Sequence, residues 1–234
     1  TTSGTTVFAM TRTEIITAAV RKLGRLASGQ SLSSQQLTDG QFALNGVLAL
    51  LQTKGMPLWA RAETTFPLTA TGNYTIGPSL TINTPAPLKI YQAFAVTTST
   101  SYGTEMEIVS IYDLSLNILQ TTGPLPVQLA YQPLIDTGKI SIWPVPDTTA
   151  IADVQIKIIY QRPFEMNTTG TETIDVPKEY HQPLIYTLAT VLAPEWGVPL
   201  QDRQLLKKEA DEYMAMVDSF GMEEGSLYFT ARRS

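Results

Sequence analysis

An α+β fold is what this sequence predicts, and two changes of pattern predict it. Apolar residues recur at helical spacing near both ends of the chain. Between them, from Ala62 to about Ile174, short runs rich in Val, Ile, Thr and Tyr alternate with Gly, Pro, Asn and Asp. The expected architecture is an N-terminal helical pair (1–61) and C-terminal helices (177–220) packing together as a helical bundle. A small antiparallel β domain (62–176), a sandwich or barrel, is inserted between them, and an extended C-terminal arm (221–234) follows. With 234 residues, 43% of them hydrophobic, the chain can build a core without covalent staples.

The first helix is expected from Arg12 to Ala27. Thr11 precedes Glu14 at the spacing of a capping box. Ile16, Val20, Leu23 and Ala27 share one face, Arg21 and Arg25 lie off it, and Gly29 is the expected stop. A second helix is expected from Ser34 to Lys54, with Ser33 and Gln36 as another capping box and Leu37, Leu44, Leu48 and Leu51 as its stripe. Gly40 and Gly46 weaken this helix but let a neighbour approach closely. Lys54-Gly55-Met56-Pro57 ends it.

Strands are expected at Ala62–Leu68, Asn73–Ile76, Pro87–Thr97, Thr104–Val109, Pro126–Tyr131, Lys139–Trp143 and Val154–Gln161, with one short helix near Tyr112–Leu119. Asp136-Thr137-Gly138 and Pro146-Asp147 are turn signals. Tyr-Gln recurs at Tyr91-Gln92, Tyr131-Gln132 and Tyr160-Gln161, as strand chemistry and not as a repeat. Helices return after Val176. Pro177 suits a first turn, and Pro183 kinks or restarts the helix whose stripe is Leu184, Leu188 and Leu192. Ala193-Pro194-Glu195-Trp196-Gly197 ends it. The last helix, Leu200 to Phe220, is expected to bury Leu206, Ala210, Tyr213 and Val217.

Composition removes whole classes of chemistry. Cysteine is absent, so disulfides, thiol catalysis, iron–sulfur clusters and zinc-thiolate sites are excluded. His181 is the single histidine, which leaves no multi-histidine metal site. No P-loop, GxGxxG, GxSxG, HExxH or EF-hand pattern occurs, and no cofactor is expected. No apolar run reaches the length of a membrane span, so no membrane partner is expected. Thr1-Thr2-Ser3-Gly4 lacks the features of a signal peptide and reads as a chain that has lost its initiator Met. The N-x-T triplets at Asn73 and Asn167 then read as turn chemistry and not as glycan acceptors. Glu105 and Glu107 share a strand face, which suits either a glycosidase pair or an exposed strand. Glu195 beside Trp196 suits either a carboxyl with a raised pKa or a packed helix end. His181 reads as a helix surface or interface residue, and Trp59 and Trp143 as core.

Charge is uneven. The net charge is −5. Residues 1–61 hold six basic and two acidic groups, 62–176 four and ten, and 177–234 six and nine. Arg21, Lys22 and Arg25 form a basic group that suits a contact with nucleic acid, with an acidic protein or with a neighbouring subunit, or a solvated helix face. A general DNA-coating role is disfavoured by the overall sign.

The order of elements then resembles a known family. Thr13-Glu14-Ile15-Ile16 and Leu23-Gly24-Arg25-Leu26 open a two-helix unit, followed by Leu44-Asn45-Gly46-Val47-Leu48 and Gly55-Met56-Pro57-Leu58-Trp59. Ile142-Trp143-Pro144-Val145-Pro146, Arg162-Pro163-Phe164, Leu188-Ala189, Leu192-Ala193-Pro194-Glu195-Trp196-Gly197 and a closing amphipathic helix complete the set. Over residues 11–220 it resembles the head-to-tail adaptors of tailed phages, and among them the tail accessory factor family of short-tailed phages.

The resemblance implies a non-enzymatic virion structural protein at the head–tail junction, assembled in the host cytoplasm. It implies a dodecameric ring beneath the portal that extends the DNA channel and receives the tail nozzle or tail tube protein. The implied partners are the portal protein, neighbouring copies and genomic DNA passing without sequence-specific binding. In 221–234 it implies a portal-docking arm, with Leu227, Tyr228 and Phe229 as anchors and Arg232 and Arg233 pairing with acidic groups. Two other classes stay open at this level. One is a cell-wall hydrolase using Glu105 or Glu107. The other is a nozzle or receptor-binding module of the neck or tail.

Overall fold

The computed structural model describes residues 8–27, 29–53, 60–100, 102–116, 121–166 and 169–220. Proximity of Cα atoms divides the chain into two units. One joins Thr1–Pro57 with Phe164–Ser234, and the other is Leu58–Pro163. The segment from Phe164 to Val176, expected with the β part, groups with the helical unit.

In the helical unit α1 runs Arg12–Lys22. Thr11 and Glu14 form the expected capping box, with Thr11 N–H donating to Glu14 Oε2 at 2.7 Å. The helix stops earlier than Ala27. Gly24 takes a left-handed φ of 67° just past the C-cap, a conformation that costs glycine nothing, so Gly29 is not the terminator. α2 runs Ser34–Thr53 and opens with the Ser33–Gln36 box. A Cβ at Gly40 would lie 2.5 Å from Ile16 Cγ2, so this glycine sets the close approach of α2 to α1. Among the described residues a Cβ at Gly46 would meet nothing within 4 Å, so the expected close approach is not made by any of them. A glycine in a helix interior costs about 1 kcal/mol relative to alanine.

A short 3₁₀ turn, Lys178–Tyr180, leads into α5, His181–Leu192. Pro183 falls in the first turn, where its missing N–H is not needed, and α5 begins two residues before it, directly after the 3₁₀ turn. α5 is buried on several sides, through Ile185 and Ala189 as well as the Leu184, Leu188 and Leu192 stripe. It packs against α1, α2 and α6 (Leu200–Phe220). α6 buries Ala210 and Met214. Leu206 and Val217 are half-buried and Tyr213 is exposed, so the buried face is rotated toward Met214 from the expected one.

A clasp closes this discontinuous unit. The backbone N–H groups of Arg12 and Thr13 donate to the carbonyls of Glu172 and Gly170, each at 3.0 Å. Ile174 N–H donates to Met10 O at 3.2 Å, and Thr11 and Thr173 form an antiparallel bridge. Thr13 Oγ1 donates to Gly170 O at 2.8 Å. The Arg12 side chain is buried, and its guanidinium donates to Asn45 on α2.

The β unit is one curled seven-stranded sheet with a two-stranded companion. The strands are β1 (Arg61–Pro67), β2 (Asn73–Ile76), β3 (Lys89–Thr97), β4 (Tyr102–Val109), β5 (Thr122–Gly123), β6 (Gln128–Pro133), β7 (Gly138–Trp143), β8 (Val145–Pro146) and β9 (Val154–Gln161). The large sheet has the order β1-β9-β3-β4-β6-β7-β2, and β5 pairs with β8. The sheet is not wholly antiparallel as expected. β4 and β6 pair in parallel, Glu107 opposite Gln128, as do β5 and β8. Parallel neighbours need a crossover. Residues 110–127, including α3 (Ile111–Ser115), provide it for β4 and β6. β5, β8 and the helix α4 (Thr148–Asp153) were not legible as elements. In the Pro146-Asp147 signal, Asp147 is the N-cap of α4, accepting from Ala150 N–H at 2.8 Å.

The curl brings the two edge strands together. Phe66 on β1 and Tyr74 on β2 pack with ring centroids 4.9 Å apart, in one core with Ile76, Ala93, Leu129, Ile140, Ile156 and Ile158. The three Tyr-Gln pairs also have a common place. They lie at one end of the sheet, where Tyr91 donates to Gln161, Tyr131 donates to Pro87 O, and Tyr160 bonds Thr84. Burial pushes the Tyr131 hydroxyl up to about 12.

The two glycines of α2 make opposite predictions. Gly40→Ala is expected to lower unfolding free energy by about 1–3 kcal/mol, since the new methyl overlaps Ile16. Gly46→Ala is expected to raise it by roughly 0.5–1 kcal/mol. Urea denaturation of both variants checks the pair.

Candidate functional site

The basic group at the end of α1 is placed by the helix that carries it. Lys22 and its neighbour Arg21 occupy the last turn, where cations are favoured by the helix dipole. Lys22 Nζ lies 4.9 Å over the ring of Tyr186 on α5, which itself packs on Tyr213 of α6 at 4.9 Å. Arg25 Nη2 donates to the Gly197 carbonyl at 3.0 Å. Lys22 and Arg25 thus tie the end of α1 to α5 and the turn beyond it, and Arg21 is exposed. The arm candidates Leu227, Tyr228, Phe229, Arg232 and Arg233 lie outside the described residues, as do Trp59 and Asn167.

Two grooves flank this end of the helical unit. One runs between Lys22 and Tyr186 and the α6 residues Asp202, Leu205 and Glu209. The other has Val20, Gly40 and Leu192 along it, with Asp39, Glu195 and Trp196 at its sides. Glu195 is exposed and Trp196 half-buried.

The charge contrast sits elsewhere than expected. The β unit holds five basic and seven acidic residues, and the helical unit eleven and fourteen. Both are mildly acidic, because Glu165, Glu172 and Asp175 belong with the helices and Arg61 with the sheet. The contrast lies inside the helical unit. Its first segment, to residue 57, has five basic and two acidic groups, and its second, from residue 164, has six and twelve.

Other sequence candidates resolve singly. Glu105 and Glu107 are exposed on the outer face of β4, beside Tyr91 and Gln92, and Gln128 donates to Glu107 at 3.0 Å. Asn73 donates to Thr71 O and accepts from Ser141 Oγ, which is turn and strand chemistry. Trp143 is half-buried at the end of β7 and is not part of the core. His181 is not a surface residue. It is buried against Phe8 at 5.7 Å between rings, and its Nδ1 has no hydrogen-bond partner among the described residues. Burial holds its pKa below the usual imidazole value, opposed by Glu179 and a backbone hydrogen bond with Val176.

Several exposed apolar residues went unread in the sequence. Phe42 and Leu50 stand out from α2, Leu134 and Ile135 from the β6–β7 hairpin, and α3 buries none of its residues. A signal existed for the first pair, since Phe42 and Leu50 fall off the Leu37, Leu44, Leu48 and Leu51 stripe.

Among the described residues no group of three or more His, Cys, Asp or Glu is arranged to hold a metal ion, and no helix is long and apolar enough to cross a membrane. The polar contacts at these sites tie one chain segment to another, and the apolar groups left over face outward. The sequence matches the family described as SU10 adaptor protein over residues 10–226, and the chain belongs to that family, as a phage structural adaptor. No curated protein matches the chain significantly.

The burial of His181 sets a pH response. Below about pH 6.5 the unfolded chain takes up a proton that the folded chain accepts only at lower pH. Stability is therefore expected to fall as pH drops from 7 toward 5, with a smaller slope in His181→Gln. Denaturant midpoints across that range check it.

Proposed function

We propose that this chain is the head-to-tail adaptor of a short-tailed phage, of the tail accessory factor type. A dodecameric ring of copies sits beneath the portal, extends the DNA channel and gives the tail nozzle its attachment site. The role is structural and involves no catalysis. Membership of the adaptor family across residues 10–226 is the observation that carries the reading.

Physical features of the chain support it. A ring of identical copies needs a heterologous contact, with different patches on its two sides. The helical unit supplies contrast for one, a basic first segment and an acidic second. The net charge of −5 suits a conduit, because an acidic lumen repels phosphate and leaves DNA free to slide. In the C-terminal segment, Leu227, Tyr228 and Phe229 offer apolar anchors, and Arg232 and Arg233 offer partners for acidic groups on the portal.

The test is the mass of the full chain alone and after mixing with the portal protein of the same genome. The expected result is a monomer that joins the portal at near one-to-one subunit stoichiometry. A chain that stays monomeric and unassociated would overturn the reading. Charge reversal of Arg232 and Arg233 together is expected to weaken portal binding, and unchanged binding removes the docking role of the arm.

A further inference from the structure

Residues 8–11 lead into α1 as a strap laid over the start of α5. The Phe8 ring lies 5.7 Å from the imidazole of His181, tilted by 54°. It is an exposed cover on a buried group, since Phe8 is 62% exposed and His181 3%. Ile174 N–H donates to Met10 O at 3.2 Å, and Thr11 bridges Thr173. A cover that is itself exposed, and tied along one edge, opens locally at less cost than the core beneath it.

The imidazole beneath the strap is housed for one protonation state. His181 bonds the backbone of Val176, and its Nδ1 has no partner among the described residues. Nε2 therefore makes the Val176 bond, and Nδ1 is the nitrogen that a second proton takes. An imidazolium donates from both nitrogens and needs an acceptor at Nδ1. The Phe8 ring attracts a cation but accepts no full hydrogen bond, and burial keeps out the water that would. The surroundings outside the strap favour the charge. Glu179, exposed in the 3₁₀ turn beside Lys178, acts on the imidazole in that direction. The segment paired with the strap brings Glu172 and Asp175, and α1 brings Arg12, whose Nε is also buried without a partner among the described residues. On α6, Asp211, Glu212 and Asp218 are exposed. Asp39 of α2 and Lys22 of α1 lie farther along α5, beside Leu192 and Tyr186.

We propose that residues 8–11 are a proton-released latch, closed over His181 while the imidazole is neutral and lifted when Nδ1 takes a proton. Lifting gives Nδ1–H water to donate to and leaves the imidazolium near Glu179. It also breaks the Ile174–Met10 bond, so the edge of residues 172–174 loses its strand partner. The core of α5, where Leu184 and Leu188 are fully buried, stays closed. The latch is a local event, distinct from unfolding of the chain. Coupling runs both ways, so whatever holds the strap shut must also make His181 harder to protonate.

A single histidine and no cysteine make the test clean. Thr11 and Thr173 face each other as a pair without mutual hydrogen bonds, the closer kind of antiparallel pair, so Thr11→Cys with Thr173→Cys in the full chain can form a disulfide that pins the strap. The His181 ring signal is titrated by NMR in the oxidised and the reduced form of this one variant. The midpoint is expected to lie lower by about 0.5–1 pH unit in the oxidised form and to return on reduction. Equal midpoints overturn the proposal. Phe8→Ala is the second variant, and it is expected to raise the midpoint. A fall means that the Phe8 ring holds the imidazolium, and this too overturns the proposal. Amide hydrogen exchange, corrected for its intrinsic pH dependence, separates the latch from unfolding. Between pH 7 and 5 the Ile174 amide is expected to exchange several-fold faster while Leu188 stays protected, and His181→Gln is expected to abolish the change. Ile174 and Leu188 accelerating together, or Ile174 accelerating equally in His181→Gln, overturns it.

Discussion

The clasp at the start of α1 is the constraint on which the helical unit depends. A helix leaves its first N–H groups without intrahelical partners. Here those of Arg12 and Thr13 are taken by carbonyls of Glu172 and Gly170, which the chain reaches only after it has built the β unit. Burial of the Arg12 guanidinium against Asn45 extends the same tie to α2, and desolvation lowers its pKa while Glu172 opposes the shift. Gly170 cannot be exchanged at will, because a Cβ there would collide with Thr13 and lie 2.9 Å from Gln41 Nε2. Small size and backbone acceptors thus join segments separated by more than a hundred residues, and one buried cation adds α2 to the tie.

With the clasp closed, α5 can act as the common partner of α1, α2 and α6. That explains why it is buried on several sides while α6 buries little beyond Ala210 and Met214. The β unit is held by different means. Its parallel β4–β6 pair and the meeting of Phe66 with Tyr74 curl the sheet around a single core. Each unit therefore builds its own interior. What is left over is apolar and outward, on α2, on α3 and at the β6–β7 tip.

This division suits an adaptor protein. Such a protein keeps interfaces whose free energy is collected only when copies or partners meet. The basic first segment and acidic second segment of the helical unit add direction to such contacts, since like patches repel and unlike ones attract.

The sequence by itself determined what depends on near neighbours. The capping boxes at Thr11 and Ser33, the strand at Asn73–Ile76, the strand at Val154–Gln161 and the helix at Leu200–Phe220 follow from local hydrogen bonding and periodicity. The ordered succession of elements also carried the family resemblance. Tertiary structure decided what depends on distant residues. The parallel pairing of β4 with β6 comes from a crossover that periodicity does not register, and the short strands β5 and β8 exist only as each other's partners. Burial of His181 and Arg12 reflects what packs over them, and polar residues carry no local sign of that. Gly40 and Gly46 look alike in the sequence. Only the fold shows that one admits Ile16 and the other stands open, because a glycine's meaning lies in what comes to meet it.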